Sequence, residues 1–372
     1  MKKFILHKEH IFIFIYLSVT FLLYGCSKEP SDNYPKLSSV TVESYPLKDF
    51  KKDVFIGYDD EFNNDYLAAP HNIAIGNSDE IIVFDRNNVC IFIFDSNKNL
   101  LRKFGQHGQG PGDFSYDNEV AVGPEGDIYV LEKSNFRMSI FSKEGKYKNS
   151  FRIKSLYNYS SFSVSSDKKI IMNNPSCEYY FSIYSDTGEL LQNLGEITIF
   201  SPQNWQVNAN FAIGHTYYDT KKEVYYIFLQ NIPSIKIFDK HGTLIRDFNT
   251  RAFPEINESP GLKPGVDHGS KIYQPSFFPS ISVQDSIFYV AVKNLIGLDP
   301  GGDLQRFSIY IMDNDLNIIS RLLVHERKIE PQPGGRGETV IFDLRFGVSK
   351  NGDIIYITDR YTAEIFAYHV ER

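Results

Sequence analysis

The sequence predicts an all-β fold, a six-bladed β-propeller of four-stranded antiparallel blades whose ring is closed by an N-terminal strand in the last blade. Three observations predict it. Residues 120–151 (VAVGPEGDIYVLEKSNFRMSIFSKEGKYKNSF) read as four short apolar strands joined by turns, and this unit recurs along the chain. The turns carry Gly, Asn or Asp, which tolerate the positive φ of tight hairpins. The last copy lacks a fourth strand, and the N-terminal region holds a spare one.

Taken in chain order, residues 2–10 (KKFILHKEH) are basic and residues 11–24 (IFIFIYLSVTFLLY) are uncharged and apolar. That run is shorter than the roughly 20 residues a membrane-spanning helix needs. A basic head and a short apolar stretch before a small residue describe a secretory signal. The segment ends Leu23-Tyr24-Gly25-Cys26, which resembles a bacterial lipobox. That resemblance implies that Cys26 is lipidated and becomes the mature N-terminus. The competing reading is a plain signal peptide or signal anchor with an incidental Cys. Residues 1–25 are thus expected to be a lipoprotein signal peptide, 26–36 a polar tether and 37–372 the propeller domain. No Asp follows Cys26 directly, which by resemblance to lipoprotein sorting rules implies the outer membrane, on its periplasmic or surface side.

Ser39–Tyr45 (SVTVESY) alternates apolar and polar residues and is the spare strand expected to complete the last blade. Six blades then begin near residues 73, 120, 162, 211, 281 and 344. Closure matters because an open ring would leave strand edges free to pair with other chains. A pair of β-sandwiches or a seven-bladed ring with one degenerate copy is the competing architecture. Helical solenoids are excluded, since no 3.6-residue apolar period runs through the chain. Thirty Phe and 24 Tyr against a single Trp suit pleated, half-buried surfaces.

The stretch Phe104–Phe114 (FGQHGQGPGDF), with VAVGPEGDIYVLE and NFRMSIFSKEGK after it, resembles NHL-repeat propellers. More closely, it is similar to the six-bladed β-propeller lipoproteins of Gram-negative bacteria, which carry a Gly-x-Gly-Pro-Gly-acidic-aromatic loop after the first blade. The resemblance implies a six-bladed exported lipoprotein. It implies little about activity, because one fold hosts many functions.

Net charge bounds the partners. The chain carries −7; Lys2, Lys3 and Lys8 against Glu9 give residues 1–25 a charge of +2, leaving −9 on the rest. An acidic body without a basic cluster argues against nucleic-acid binding. It also gains nothing from anionic lipids, so attachment to a membrane requires the lipid anchor. Cys90 and Cys177 read as small buried hydrophobes, a disulfide between them being the alternative.

The long connections, residues 46–71, 105–119, 195–210, 249–280, 293–306 and 325–341, all fall on one face of such a ring. The opposite face carries only short turns. Long loops on a rigid scaffold are where sites tend to lie. This face is therefore expected to bind, through His107, Asp113, Trp205, Asp267, His268 and Arg336 on its loops, and through Asp85, Arg137, Asp359 and Arg360 at the mouth of the central channel. Aromatic rings and guanidinium forks suit a polar ligand, a glycan or peptide, or a partner protein of the envelope. The competing reading is that Asp and Arg side chains cap loops and pair between blades.

No nucleophile elbow, phosphate loop, zinc-protease helix or Cys-x-x-Cys is present. The Gly-rich stretch follows an outer strand and opens no helix, so it is not a dinucleotide site. His71, His107, His215 and His268 fall on or near the long-loop face, and three of them meeting around Zn²⁺ would resemble propeller-type amidating lyases. Asp and Asn at the mouth holding Ca²⁺ would resemble lactonase-like propellers. No catalytic residue, metal or cofactor is assigned. A metal-dependent (Ca or Zn) hydrolase or lyase stays as the alternative to a binding or scaffold module.

Overall fold

Blades with both faces packed against neighbours need middle strands that are apolar on both sides. The computed structural model shows how the chain meets this need. It describes residues 51–370 except 58, 62–65, 155, 157–160, 251–252, 258–276, 294–303, 329–344 and 361. Within each blade the four strands are hydrogen-bonded in antiparallel order, and there are six such sheets. Blade 1 comprises β2 (Pro70–Ile75), β3 (Ile81–Asp85), β4 (Cys90–Phe94) and β5 (Leu100–Phe104). Blade 2 comprises β6 (Asn118–Val122), β7 (Ile128–Glu132), β8 (Arg137–Phe141) and β9 (Tyr147–Arg152). Blade 3 is built from β10 (Ser161–Val164), β11 (Ile170–Asn173), β12 (Tyr179–Tyr184) and β13 (Leu190–Glu196). Blade 4 has β14 (Gly214–Asp219), β15 (Val224–Leu229), β16 (Ser234–Asp239) and β17 (Leu244–Asn249). Blade 5 has β18 (Ile281–Gln284), β19 (Ile287–Lys293), β20 (Leu304–Met312) and β21 (Ile318–Lys328). Blade 6 has β22 (Arg345–Val348), β23 (Ile354–Asp359), β24 (Glu364–His369) and, on its outer edge, β1 (Lys51–Ile56).

Second and third strands such as β3, β4 and β7 are buried at every residue, whereas the outer β5 alternates partly buried with exposed residues. The buried side chains fall into six apolar clusters, and each spans two consecutive blades. One of them joins blade 6 to blade 1 through Tyr356, Ile365, Ile73 and Phe92, so the ring is closed. Each fully buried Ile, Val or Phe in these seams contributes about 1.5–3 kcal/mol.

The closing strand corrects one expectation. An N-terminal strand does complete the last blade, but it is β1, which pairs with β24 from Lys51↔His369 to Ile56↔Ile365. Ser39–Tyr45 lies outside the described residues. The physical reason is legible afterwards: β1 (KKDVFI) buries only Phe55 and Ile56, so its sequence shows no alternation to announce it. Phe55 meets the edge of Tyr356 at 5.0 Å, and the Lys52 ammonium sits 3.8 Å from the centre of the Phe366 ring.

Two short helices interrupt the loops. In α1 (Trp205–Phe211), the Asn204 side chain accepts from the Gln206 and Val207 amides and so caps the first turn. A second, α2 (Pro254–Asn257), is a single turn. Both are too short to produce a helical period in the sequence.

Candidate functional site

Strand direction sorts the connections. Links from an outer strand to the next blade's inner strand, and links between second and third strands, emerge at one face; the other two hairpins emerge opposite. The described long connections, between β5 and β6 and between β13 and β14, share the first face. The hairpins opposite are tight turns such as 123–127 and 142–146, each with a Gly at positive φ.

The Gly-rich loop after β5 is fixed from within. Phe114 is fully buried between blades 1 and 2, near the rings of Phe84, Phe104 and Phe141 at 6.1, 6.2 and 5.4 Å. Gly105 takes φ +89° with the Phe114 ring where a Cβ would stand, so both features require glycine. Asp113 accepts from the Gly110 amide (2.9 Å) and from Gln106 Nε2 (3.0 Å). Arg137 clamps the loop from blade 2: Nη1 donates to Gln109 O and Nη2 to Asp113 O, each at 2.9 Å. Its Nε and Nη2 also donate to the fully buried Glu132, each at 2.8 Å. Glu132 accepts further from Ser139 Oγ (2.5 Å) and Asn135 Nδ2 (2.7 Å). Asp113 and Arg137 are thus engaged in holding the loop, while His107 is exposed and packs against the exposed Tyr116 ring at 4.6 Å with the planes tilted by 32°.

Asp85 ends β3 fully buried and accepts from the amides of Ala68, Ala69, Asn87 and Asn88 at 2.7–3.0 Å, so it organises two loops. Asp359 ends β23 in the equivalent place and accepts from the Thr362 amide at 3.4 Å; Arg360 beside it is half-buried. Trp205 opens α1 and is 56% exposed. Cys26, Asp267, His268 and Arg336 lie outside the described residues. Cys90, buried in blade 1, and Cys177, before β12 in blade 3, are not joined by a disulfide. Among the described residues, no group of three or more His, Cys, Asp or Glu side chains is placed to hold a metal ion.

The structure brings together a group that the sequence pattern did not reveal. Glu119 and His215 are the second residues of the inner strands β6 and β14, and Arg345 is the first of β22. Lys133 and Gln230 directly follow β7 and β15. All five are half-buried at the long-loop end of the inner strands. Lys133 pairs with Glu119 at 2.9 Å. His215 Nε2 lies 3.0 Å from Pro279 O and 2.9 Å from Gln230 Nε2, and Arg345 donates to the same Pro279 carbonyl. Burial alone would raise the Glu119 carboxyl, but the Lys133 and Arg345 charges outweigh it and hold the group below its ordinary range. Burial, and then the Arg345 charge, push the His215 imidazole down to about 4, with Glu119 only partly offsetting them. Glu119, His215 and Arg345 belong to blades 2, 4 and 6, none of which adjoins another. Their mutual influence therefore runs across the central channel.

Large exposed apolar side chains are also sorted. Among the described residues, Val54, Leu101, Tyr147, Leu190, Leu191, Leu244, Ile245 and Ile319 sit on outer strands. The rest, Tyr66, Tyr116, Phe136, Ile199 and, in α1, Trp205, all sit in connections of the long-loop face. None lies on the tight turns opposite.

A protein-family model described as 6-bladed beta-propeller matches residues 61–256, just over half of the chain. The brain tumor protein of Drosophila melanogaster is 26% identical over 152 residues, which cover 39% of this chain and 14% of that protein. The chain thus spans a small part of this curated relative. Among solved structures, a member of the DUF4221 family from Bacteroides vulgatus superposes with a TM-score of 0.52 at 12% identity, covering 87% of this chain and 98% of that one. Virginiamycin B lyase from Staphylococcus aureus superposes with a TM-score of 0.50 at 9% identity, covering 87% of this chain and 100% of that one. At these identities the two likenesses concern the fold.

Proposed function

The chain belongs to the six-bladed β-propeller family, and from that premise we propose that it is a binding module of the bacterial envelope, tethered to the outer membrane through a lipid on Cys26. Its long-loop face binds a polar ligand, a glycan or peptide, or a partner protein. One observation carries this reading: the exposed rings of Tyr66, Tyr116, Phe136 and Trp205 lie in connections of that face, and the tight turns opposite carry none among the described residues. Exposed aromatics over half-buried charges give a surface that can stack on a ligand and orient it. Packed blades hold the loop bases fixed, through Asp85, Glu132 and Arg137, so the face loses little entropy on binding.

β1 starts at the tight-turn end of blade 6, because it runs antiparallel to β24 and leads into the long-loop connection before β2.

Two measurements test the proposal. Cys26→Ser should move the protein from the membrane fraction to the soluble one; unchanged retention would refute the anchor. Cross-linking in cells, followed by footprinting of the captured complex, should protect peptides around Tyr116, Phe136 and Trp205. Alanine at a ring that anchors the ligand should weaken binding by about 2 kcal/mol. Protection of the turns at 123–127 and 142–146 instead would reverse the assignment of the faces.

A further inference from the structure

We propose that the outer edge of the seam between blades 3 and 4 is a binding site for a small aromatic molecule, a single aryl ring with a polar substituent such as a phenol. The site lies between outer strands, and it does not depend on the binding role proposed above.

The argument compares one position in equivalent blades. The fifth residue of the outer strand is Phe104 in blade 1, Phe151 in blade 2 and Phe248 in blade 4. Each of these rings is half-buried. Phe104 and Phe151 lie over the third-to-fourth turn of the next blade: a Cβ on Gly145 would stand 2.6 Å from the Phe104 ring, and one on Gly188 2.3 Å from the Phe151 ring. Phe248 packs on the cluster that holds Leu316, the equivalent turn residue of blade 5. The rings thus cover the outer edge of their seams.

Blade 3 breaks the pattern. Its fifth residue is Leu194, and its ring sits one strand further in. Leu194 pairs with Phe181, whereas Phe104, Phe151 and Phe248 pair with Ile91, Met138 and Ile235. Phe181 fills the interior of the seam, 5.4 Å from Phe238 and 5.3 Å from Tyr225. On the other side, blade 4 opens its outer strand with Leu244, where blade 2 has Tyr147, whose ring lies 5.9 Å from that of Phe141. Two rings that line the seam of blades 1 and 2 are therefore leucines here, and a groove of about 390 Å³ lies at this edge. That volume falls within the roughly 300–1,000 Å³ of small-molecule sites. The buried Leu194, Gly195 and Phe238 form its floor, and the exposed Gln192, His241 and Leu244 its rim. An aryl ring takes the place that phenylalanine fills in the sister seams and meets Phe238 by edge or offset contact. A hydroxyl on that ring reaches Gln192 or His241, each of which can donate or accept. A saturated ring of equal size would lose the contact between rings.

The test uses the protein with ¹³C-methyl-labelled leucine, p-cresol as probe and 4-methylcyclohexanol as its saturated counterpart. p-Cresol should impose saturable ring-current shifts on the Leu194 and Leu244 methyl signals, and should bind roughly five- to tenfold tighter than the saturated alcohol, the scale of one aromatic pair. Two variants restore the rings of the sister seam: Leu194→Phe copies Phe104, and Leu244→Tyr copies Tyr147. Each should abolish the saturable shift at the remaining leucine without lowering the melting temperature. Leu244 is exposed, so Leu244→Tyr needs no repacking and decides the matter should Leu194→Phe fail to fold. Shifts that never saturate, saturable shifts confined to other leucines, equal affinity for the two alcohols, or undiminished binding in Leu244→Tyr would each overturn the site.

Discussion

Arg137 distinguishes a structural role from a binding one, and Arg137→Ala puts a magnitude on it. The substitution removes both hydrogen bonds to Glu132, which is fully buried, and both bonds to the carbonyls of Gln109 and Asp113. Breaking a buried ion pair by removing one partner costs about 3–5 kcal/mol, because the remaining charge stays desolvated. Ser139 and Asn135 still donate to Glu132, which places the loss near the lower end, about 3 kcal/mol. At about 2.1 cal/mol/K per residue, a propeller of roughly 320 residues has an unfolding entropy of about 0.7 kcal/mol/K, so the melting temperature should fall by about 4–5 °C. Differential scanning calorimetry reads this directly. Hydrogen exchange should speed at the amides of Gly108, Gly110 and Phe114, whose loop bonds the clamp supports. The double variant Glu132→Gln/Arg137→Met leaves no buried charge and should recover part of the loss. A single variant that melts within about 1 °C of wild type, with unchanged exchange in the loop, would refute the clamp.

Three further outcomes follow from the same structure. A chain beginning at Pro46 keeps β1 and should melt like the full propeller, whereas one beginning at Gly57 exposes the edge of β24 and should aggregate or lose its cooperative transition; equal melting of the two would refute closure by β1. Asp85→Ala strands up to four amide donors near β3 and should destabilise by about 2 kcal/mol or more, read by chemical denaturation, with no loss expected if those amides find other acceptors. His215 binds a proton near its ordinary 6.5 when unfolded but only near 4 when folded, so the unfolded chain holds more protons between those values. Stability should therefore rise with pH across that window, by on the order of 3 kcal/mol, and level off above it; His215→Gln should flatten this segment, and an unchanged slope would show that other groups set it.

How much of this was legible in the sequence depends on how local each feature is. The blades were readable because second and third strands are mostly apolar, as in IIVFD, CIFIF and IYVLE, and because hairpins on the opposite face carry Gly at positive φ, as at Gly126 and Gly145. First strands expected near 73, 120, 162, 211, 281 and 344 begin at Pro70, Asn118, Ser161, Gly214, Ile281 and Arg345. The long-loop face could be deduced from loop lengths alone. Within it, Trp205 stood out by being single, but Tyr116 and Phe136 did not, since exposure cannot be read from ring identity in a chain with 30 Phe and 24 Tyr. Asp85 and Arg137 carried the right chemistry for a mouth, and what decides their use is a set of partners in neighbouring loops, such as Ala68 and Gln109, that no spacing rule connects to them.

The mouth group shows the physical limit most clearly. Glu119, His215 and Arg345 occupy the first or second position of their inner strands, so their common height in the ring follows from register once the blades are aligned. Their approach does not follow from register. It exists only because six seams, each stabilised by its own buried cluster, bend the chain until blade 6 meets blade 1. A charge at the start of one inner strand is unremarkable in isolation, since it can face solvent. Of these three, Glu119 and Arg345 carry charge, and the buried His215 between their fields is held neutral. The electrostatics of that group are thus set by closure of the fold, so a substitution that loosens a seam should let the His215 pKa return toward its ordinary value before it unfolds the ring.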